Sequence, residues 1–150
     1  MRAVIQRVSN ASVSVNSEIV GQIGRGLCVL VGIHKDDKPE DVEYIIRKIL
    51  NLRLFHHENK PWDKSVKDLD LEILCISQFT LYGLIKGNKL DFHNSMGSQT
   101  AAEFYATFLQ TLKSAYKPEK VQDGKFGAMM QVDISNDGPV TYNLDSRQRE

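Results

Sequence analysis

Leu27 to Ile33 is the longest apolar run in the chain, and Ile73 to Ile76 is a shorter one of the same kind. Neither alternates polar with apolar residues. A run of this length without alternation reads as a strand buried on both faces, in a sheet covered from two sides. Such a run is also far too short to span a bilayer, which takes about 20 residues as a helix.

The segments around these runs define the rest. Arg2 to Ser9 and Ala11 to Val15 read as two short β-branched strands, the second alternating Ser12, Val13, Ser14, Val15. Asn16-Ser17 predicts a hairpin turn and Ile19 to Ile23 the return strand. Gly24-Arg25-Gly26 then punctuates the chain. Asp36 or Asp37 would cap a first helix with Pro39 in its opening turn, and Val42, Ile45, Ile46, Ile49 and Leu50 recur at helical spacing. Leu52 to Phe55 reads as a strand and His56 to Leu69 as a loop. Glu72 to Leu81 reads as one strand, and Gly83 to Gly97 as a second long loop. A second helix is predicted from Ser98, with Phe104, Tyr105, Phe108, Leu109, Leu112 and Tyr116 as its stripe and Pro118 beyond its end. Ala128 to Leu144 predicts a terminal hairpin turning at Asn136-Asp137-Gly138-Pro139. Strands outnumber helices and most connections are hairpin-like. The expected fold is α/β (α+β-like), with largely antiparallel sheets in a β/β/α layering and two main helices.

With 150 residues, the chain is expected to form one domain over 1–150, burying roughly 70% of its unfolded surface. Nineteen Lys+Arg balance 19 Asp+Glu, so bulk charge does not predict a nucleic-acid coat, although a local basic patch is compatible with it. Cys28 and Cys75 sit in apolar runs, as buried free cysteines do, and no CxxC or zinc-type spacing occurs. The opening residues lack the apolar core of a signal peptide. The expectation is a cytoplasmic protein with no zinc site and no membrane span.

Common catalytic signatures are missing: there is no GxSxG, HExxH, Walker A loop or GxGxxG. The glycines of Gly21 to Gly26 have the spacing of hairpin punctuation rather than of a dinucleotide loop. His56-His57 beside Glu58 has no second ligand pair and reads as solvated. His93 follows Asp91-Phe92 in a loop with Lys86 and Lys89. It is either a phosphate or base contact or an ordinary surface histidine. Two segments stand out. Ser77-Gln78-Phe79-Thr80 puts polar groups at the end of a buried strand, where a rigid element fixes their geometry. Asn136-Asp137-Gly138-Pro139-Val140-Thr141 puts Pro directly after Gly, which is awkward in a tight hairpin.

Together these two segments resemble the signature motifs of the D-aminoacyl-tRNA deacylases (D-tyrosyl-tRNA deacylases). The resemblance spans nearly the whole chain. It includes Arg2 to Val8, Lys86 to Lys89, Asp91-Phe92-His93 and Asp123 to Met130. Leu90 and Gly97 stand where the family commonly has proline.

The resemblance implies a homodimer that hydrolyses the ester of D-aminoacyl-tRNA, and of glycyl-tRNA, without a cofactor. Ser77, Gln78, Phe79 and Thr80 would build the catalytic pocket. Gly138 and Pro139, joined by a cis bond, would reach the partner subunit's pocket and exclude L-residues. Arg7 would hold that dipeptide, with Met129 in the same substrate-selecting group. Lys86, Lys89 and His93 would touch the tRNA. A chiral filter of this kind works by rejection. An activated ester next to the tRNA's 2′-hydroxyl needs positioning and oxyanion stabilisation more than a triad. Thr80 is the alternative nucleophile. The rival readings are a nucleic-acid-binding module without deacylase activity, another small esterase, and a purely structural domain.

Overall fold

The two apolar runs lie side by side as parallel strands within one six-stranded sheet, in a computed structural model that describes residues 1–149. β3 (Gly26–Gly32) pairs with β6 (Glu72–Ser77) from Gly26 opposite Glu72 to Val31 opposite Ser77. Their side chains sort by parity. Leu27, Val29, Val31, Ile73 and Cys75 enter a large core; Cys28, Leu74 and Ile76 enter a smaller one on the other face. Both faces are covered, as the absence of alternation requires.

Two helices cover the large core: α1 (Pro39–Asn51) and α2 (Ser98–Ala115). Ile45, Ile46 and Ile49 come from the first, and Tyr105, Phe108 and Leu112 from the second. The capping expectation for α1 is corrected. Lys38 is the N-cap, and its N–H donates to the Asp41 carboxylate at 2.8 Å. Asp37 instead accepts from the Met1 ammonium at 2.7 Å and from the His34 N–H at 2.7 Å.

The small core is closed by strands. β1 (Arg2–Val15) pairs antiparallel with β3, with β2 (Glu18–Ile23) and with β10 (Gln131–Asp145). The expected pair of short strands is therefore a single bent one. Val8 lies opposite Asn136 and Asn10 opposite Ser135, so Ser9 is an extra residue in β1. That bulge bends the strand and shifts its parity. Ala3 and Ile5 face the large core, while Ala11 and Val13 face the small one. The outer half of β1 carries β2 over the central strands towards β9 (Val121–Asp123), which pairs with β6. Closure is tight: a Cβ on Gly21 would lie 2.3 Å from the Asp123 carbonyl oxygen, so only glycine fits.

Four other expectations are corrected. The terminal hairpin is instead one strand, β10, which follows β1 along its length, from Gln131 opposite Ser14 to Asp145 opposite Arg2. Residues 137–140 bulge out of it opposite Arg7. The loop at 56–69 contains a hairpin of β4 (Phe55–His57) and β5 (Lys60–Lys64), and β4 begins where the predicted 52–55 strand ends. Its turn residues, Glu58 and Asn59, have φ of 47° and 67°, the left-handed pair of a two-residue hairpin turn. The loop at 83–97 contains a second hairpin, β7 (Leu84–Lys86) and β8 (Lys89–Asp91). The predicted 72–81 strand stops at Ser77 and becomes a 3-10 turn over Phe79–Tyr82. Among the described residues, no helix is long and apolar enough to cross a membrane.

Candidate active site

Where β6 ends, its backbone leaves the sheet. The Gln78 N–H makes a last ladder-like bond to the Val31 carbonyl at 2.7 Å. The 3-10 turn then forms, with the Leu81 N–H donating to the Gln78 carbonyl at 3.3 Å and the Gly83 N–H to the Thr80 carbonyl at 3.0 Å. The turn sits hard on β3, since a Cβ on Gly32 would lie 2.8 Å from Leu81 Cβ. Sequence and packing therefore fix the direction of residues 77–80.

Beside this turn lies a cleft of about 650 Å³. Ser77, Gln78 and Phe79 form one wall. The first turn of α2 (Gly97, Ser98, Ala101) and the segment Phe126 to Met130 form the others. Phe79 is 56% exposed and meets Phe92 edge-on, with ring centroids 4.9 Å apart. Ser95 Oγ donates to the Phe79 carbonyl at 2.9 Å and ties the turn to the loop before α2. Behind Phe126, the Tyr105 hydroxyl donates to Asp123 at 2.8 Å. Burial pushes the Asp123 carboxyl above its usual range despite that bond.

The structure groups some of the sequence-predicted residues and separates others. Ser77, Gln78, Phe79 and Met129 line the cleft, with Met129 91% exposed. Thr80 does not line it. Its Oγ1 accepts from Gln78 Nε2 at 2.6 Å, and no histidine or carboxylate among the described residues hydrogen-bonds to it. Arg7, Gly138 and Pro139 lie outside the walls of this chain's own cleft.

Those three residues form a second constellation, at the bulge in β10. The Gly138-Pro139 bond is cis and Gly138 has φ of +119°. Arg7, only 5% exposed, runs beneath. Its Nη1 donates to the Leu54 carbonyl at 2.7 Å, and Nε lies 3.1 Å from Asp137 Oδ2. The second contact is an ion pair without hydrogen-bond alignment, which leaves the buried Nε–H unpartnered. A Cβ on Gly138 would lie 3.0 Å from Arg7 Nη2. Asn136 spans the base of the bulge: Oδ1 accepts from the Val140 N–H at 3.3 Å, and Nδ2 donates to Thr141 Oγ1 at 3.0 Å. The dipeptide is thus held from below and presented outward, with Gly138 and Pro139 both exposed.

Lys86 and Lys89 stand at the facing ends of β7 and β8, outside the cleft. Lys86 lies 3.5 Å from the Asp91 carboxylate, which also pairs with His93 Nδ1. Hydrogen bonds from the His93 ring and backbone hold the Asp91 carboxyl below its usual range. Phe92, between Asp91 and His93, is the member of this segment that reaches the cleft.

Sequence reasoning missed Phe92, Ser95, Ser98 and Ala101 as site residues. Only the start of α2 at Gly97-Ser98 hinted at them, since a helix beginning next to a strand end is a common way to wall a cleft.

The comparisons with known proteins agree along the whole chain. A family model described as D-Tyr-tRNA(Tyr) deacylase matches residues 4–145. The D-aminoacyl-tRNA deacylase of Drosophila melanogaster is 59% identical over 150 residues, covering 100% of this chain and 95% of the relative. The D-aminoacyl-tRNA deacylase 1 of Homo sapiens is 55% identical, covering 97% of this chain and 70% of the relative. A solved structure titled c-Myc DNA Unwinding Element Binding Protein superposes with a TM-score of 0.93 at 54% identity, covering 97% of this chain and 98% of that one. Both signature segments, the cleft at residues 77–79 and the matched span make the assignment plain: the chain belongs to the D-Tyr-tRNA(Tyr) deacylase family.

Proposed function

We propose that this chain hydrolyses the ester linking a D-amino acid to tRNA, and that it does so as a homodimer. The observation that carries the proposal is the separation of its two constellations. One is a cleft built on residues 77–79; the other is an exposed Gly138-Pro139 dipeptide braced by Arg7 outside that cleft. A dipeptide so rigidly presented, yet absent from its own chain's cleft, suits insertion into a second copy's cleft.

In that arrangement the walls of the cleft hold the aminoacylated 3′ end. The N–H of Phe79 opens the 3-10 turn, where no preceding turn accepts it. We assign it to the ester carbonyl as negative charge develops on its oxygen. The tRNA's own 2′-hydroxyl assists the attacking water. Thr80 ranks lower as a nucleophile, because the amide N–H of Gln78 that contacts its hydroxyl cannot take up a proton. Carbonyls of the partner's Gly138 and Pro139 crowd one position on the α-carbon. Hydrogen fits there and a side chain does not, so D-residues and glycine pass while L-residues are rejected. Lys86, Lys89 and His93 flank the Phe92 edge of the cleft and are assigned to tRNA phosphates.

The test is release of amino acid from D-Tyr-tRNA, L-Tyr-tRNA and Gly-tRNA. The expected result is fast release from the first and third and none from the second. Release from none would overturn the catalytic reading. Equal release from D and L would remove the dipeptide filter. A relative titled as a DNA-unwinding-element binder, 54% identical, keeps nucleic-acid binding without deacylase activity as the second reading, which loss of all three activities would favour.

A further inference from the structure

Arg2, Gly32 and Asp145 stand in one row across neighbouring strands. Arg2 of β1 lies opposite Gly32 of β3 on one side and opposite Asp145 of β10 on the other. Directly opposed residues project from the same face of a sheet. The 3-10 turn over Phe79–Tyr82 rests on that face, in the space that Gly32 leaves. An added Cβ on Gly32 would lie 2.8 Å from Leu81 Cβ and 3.2 Å from the Gln78 carbonyl oxygen. Arg2, next in the row, is therefore within reach of the turn.

Its guanidinium meets the turn twice. Nη1 donates to the Leu81 carbonyl at 2.7 Å, and the guanidinium carbon lies 4.5 Å from the centroid of the Tyr82 ring. Nε donates to Asp145 Oδ2 at 3.1 Å, which fixes the direction of the fork. None of Arg2, Leu81 and Asp145 lines the cleft.

This contact leads to the proposed reacting atoms through the backbone. Leu81, held by its carbonyl, donates its own N–H to the Gln78 carbonyl at 3.3 Å. That carbonyl shares one rigid peptide plane with the Phe79 N–H. Arg2 fixes Leu81, Leu81 fixes the 78–79 peptide, and the peptide aims the N–H. Aim matters because such a donor acts only at hydrogen-bond distance from the developing oxyanion.

We infer that Arg2 is a positioning residue for the hydrolysis: from outside the cleft it holds the turn so that the Phe79 N–H points at the ester oxygen, and Asp145 holds Arg2. The catalytic part rests on the deacylase reading; the brace does not. A planar fork serves a carbonyl, a carboxylate and a ring face together, which a lysine ammonium does not.

Arg2→Met should lower kcat for D-Tyr-tRNA about tenfold, as loss of one charge-assisted hydrogen bond would, and leave KM unchanged. Arg2→Lys should recover part of that loss. Asp145→Asn should lower kcat less, and should add nothing in an Arg2→Met background, because it acts through Arg2. A merely structural role would lower the urea midpoint and leave kcat at its wild-type value. Amide exchange reads the brace without hydrolysis: the Leu81 N–H should exchange faster in Arg2→Met, while the amides of α2 keep their rates. Unchanged kcat beside an active wild type, a rise in KM alone, or unchanged exchange at Leu81 would overturn the inference. An inactive wild type would instead overturn the deacylase reading and the catalytic role with it, and faster exchange at Leu81 would still establish the brace.

Discussion

Thr80 is the residue on which a nucleophilic and a substrate-assisted mechanism differ. Its hydroxyl takes a 2.6 Å bond from Gln78 and no base. Thr80→Ala is therefore expected to lower kcat/KM by no more than about tenfold, the value of one hydrogen bond to the turn. Loss of all activity in a deacylation assay would restore Thr80 as nucleophile. Asp123 allows a second residue-level prediction. Burial raises its carboxyl above the usual value of 3.8 in the folded state, so the folded chain holds that proton more tightly than the unfolded one. Its contribution to stability is full below the ordinary carboxylate range and is lost as pH rises through the raised value. Urea midpoints of the wild type, measured against Asp123→Asn across that range, should fall with rising pH relative to the variant. The role of Thr80 was open in the sequence because a hydroxyl's partner is set by backbone direction, which residues 77–80 acquire only when the turn packs on Gly32.

Elements show where local signals and long-range pairing disagree. Asn136-Asp137-Gly138-Pro139 has the composition of a turn, and by local rules it should reverse the chain. It does not, because β1 offers partners on both sides of it, and the segment bulges outward instead. The hairpins at 55–64 and 84–91 read as loops in sequence because most of their strands are three residues long, too short to show a period. The helices and the two apolar strands were legible because their patterns run long enough to fix a face. Two predictions belong here. Gly21→Ala would drive a methyl group into the Asp123 carbonyl, so the bend of β1 and β2 should lose about 1–3 kcal/mol, read from denaturant midpoints. Arg7→Lys keeps the charge but loses the fork that meets both the Leu54 carbonyl and the dipeptide's underside. The ratio of D- to L-Tyr-tRNA hydrolysis should fall at least about tenfold, mainly through faster L-release.

For the whole molecule, the proposed homodimer would take the filter and the cleft it serves from different subunits. A mixing experiment tests this directly. One variant keeps an intact cleft but carries Arg7→Lys; the other keeps Arg7 but has its cleft filled by Ala101→Trp. Mixed dimers should regain D-selectivity that neither parent shows, because the intact dipeptide of the second enters the open cleft of the first. If selectivity is not regained, the filter acts within one chain. Features settled within a few residues or one element were readable before any fold was known. These are the strand character of Leu27–Ile33, the faces of α1 and α2, and the pairing of polar residues 77–80 with a strand end. The two signature segments that assign the family are also of this kind. Long-range packing settled that β10 runs straight past its own turn signal and that Phe92, Ser98 and Ala101 complete the cleft. It also put Arg7 beneath Gly138, with about 130 residues of chain between them. The difference is one of range. Hydrophobic period and turn chemistry are written in adjacent residues, whereas strand pairing and side-chain convergence depend on which distant surfaces fit.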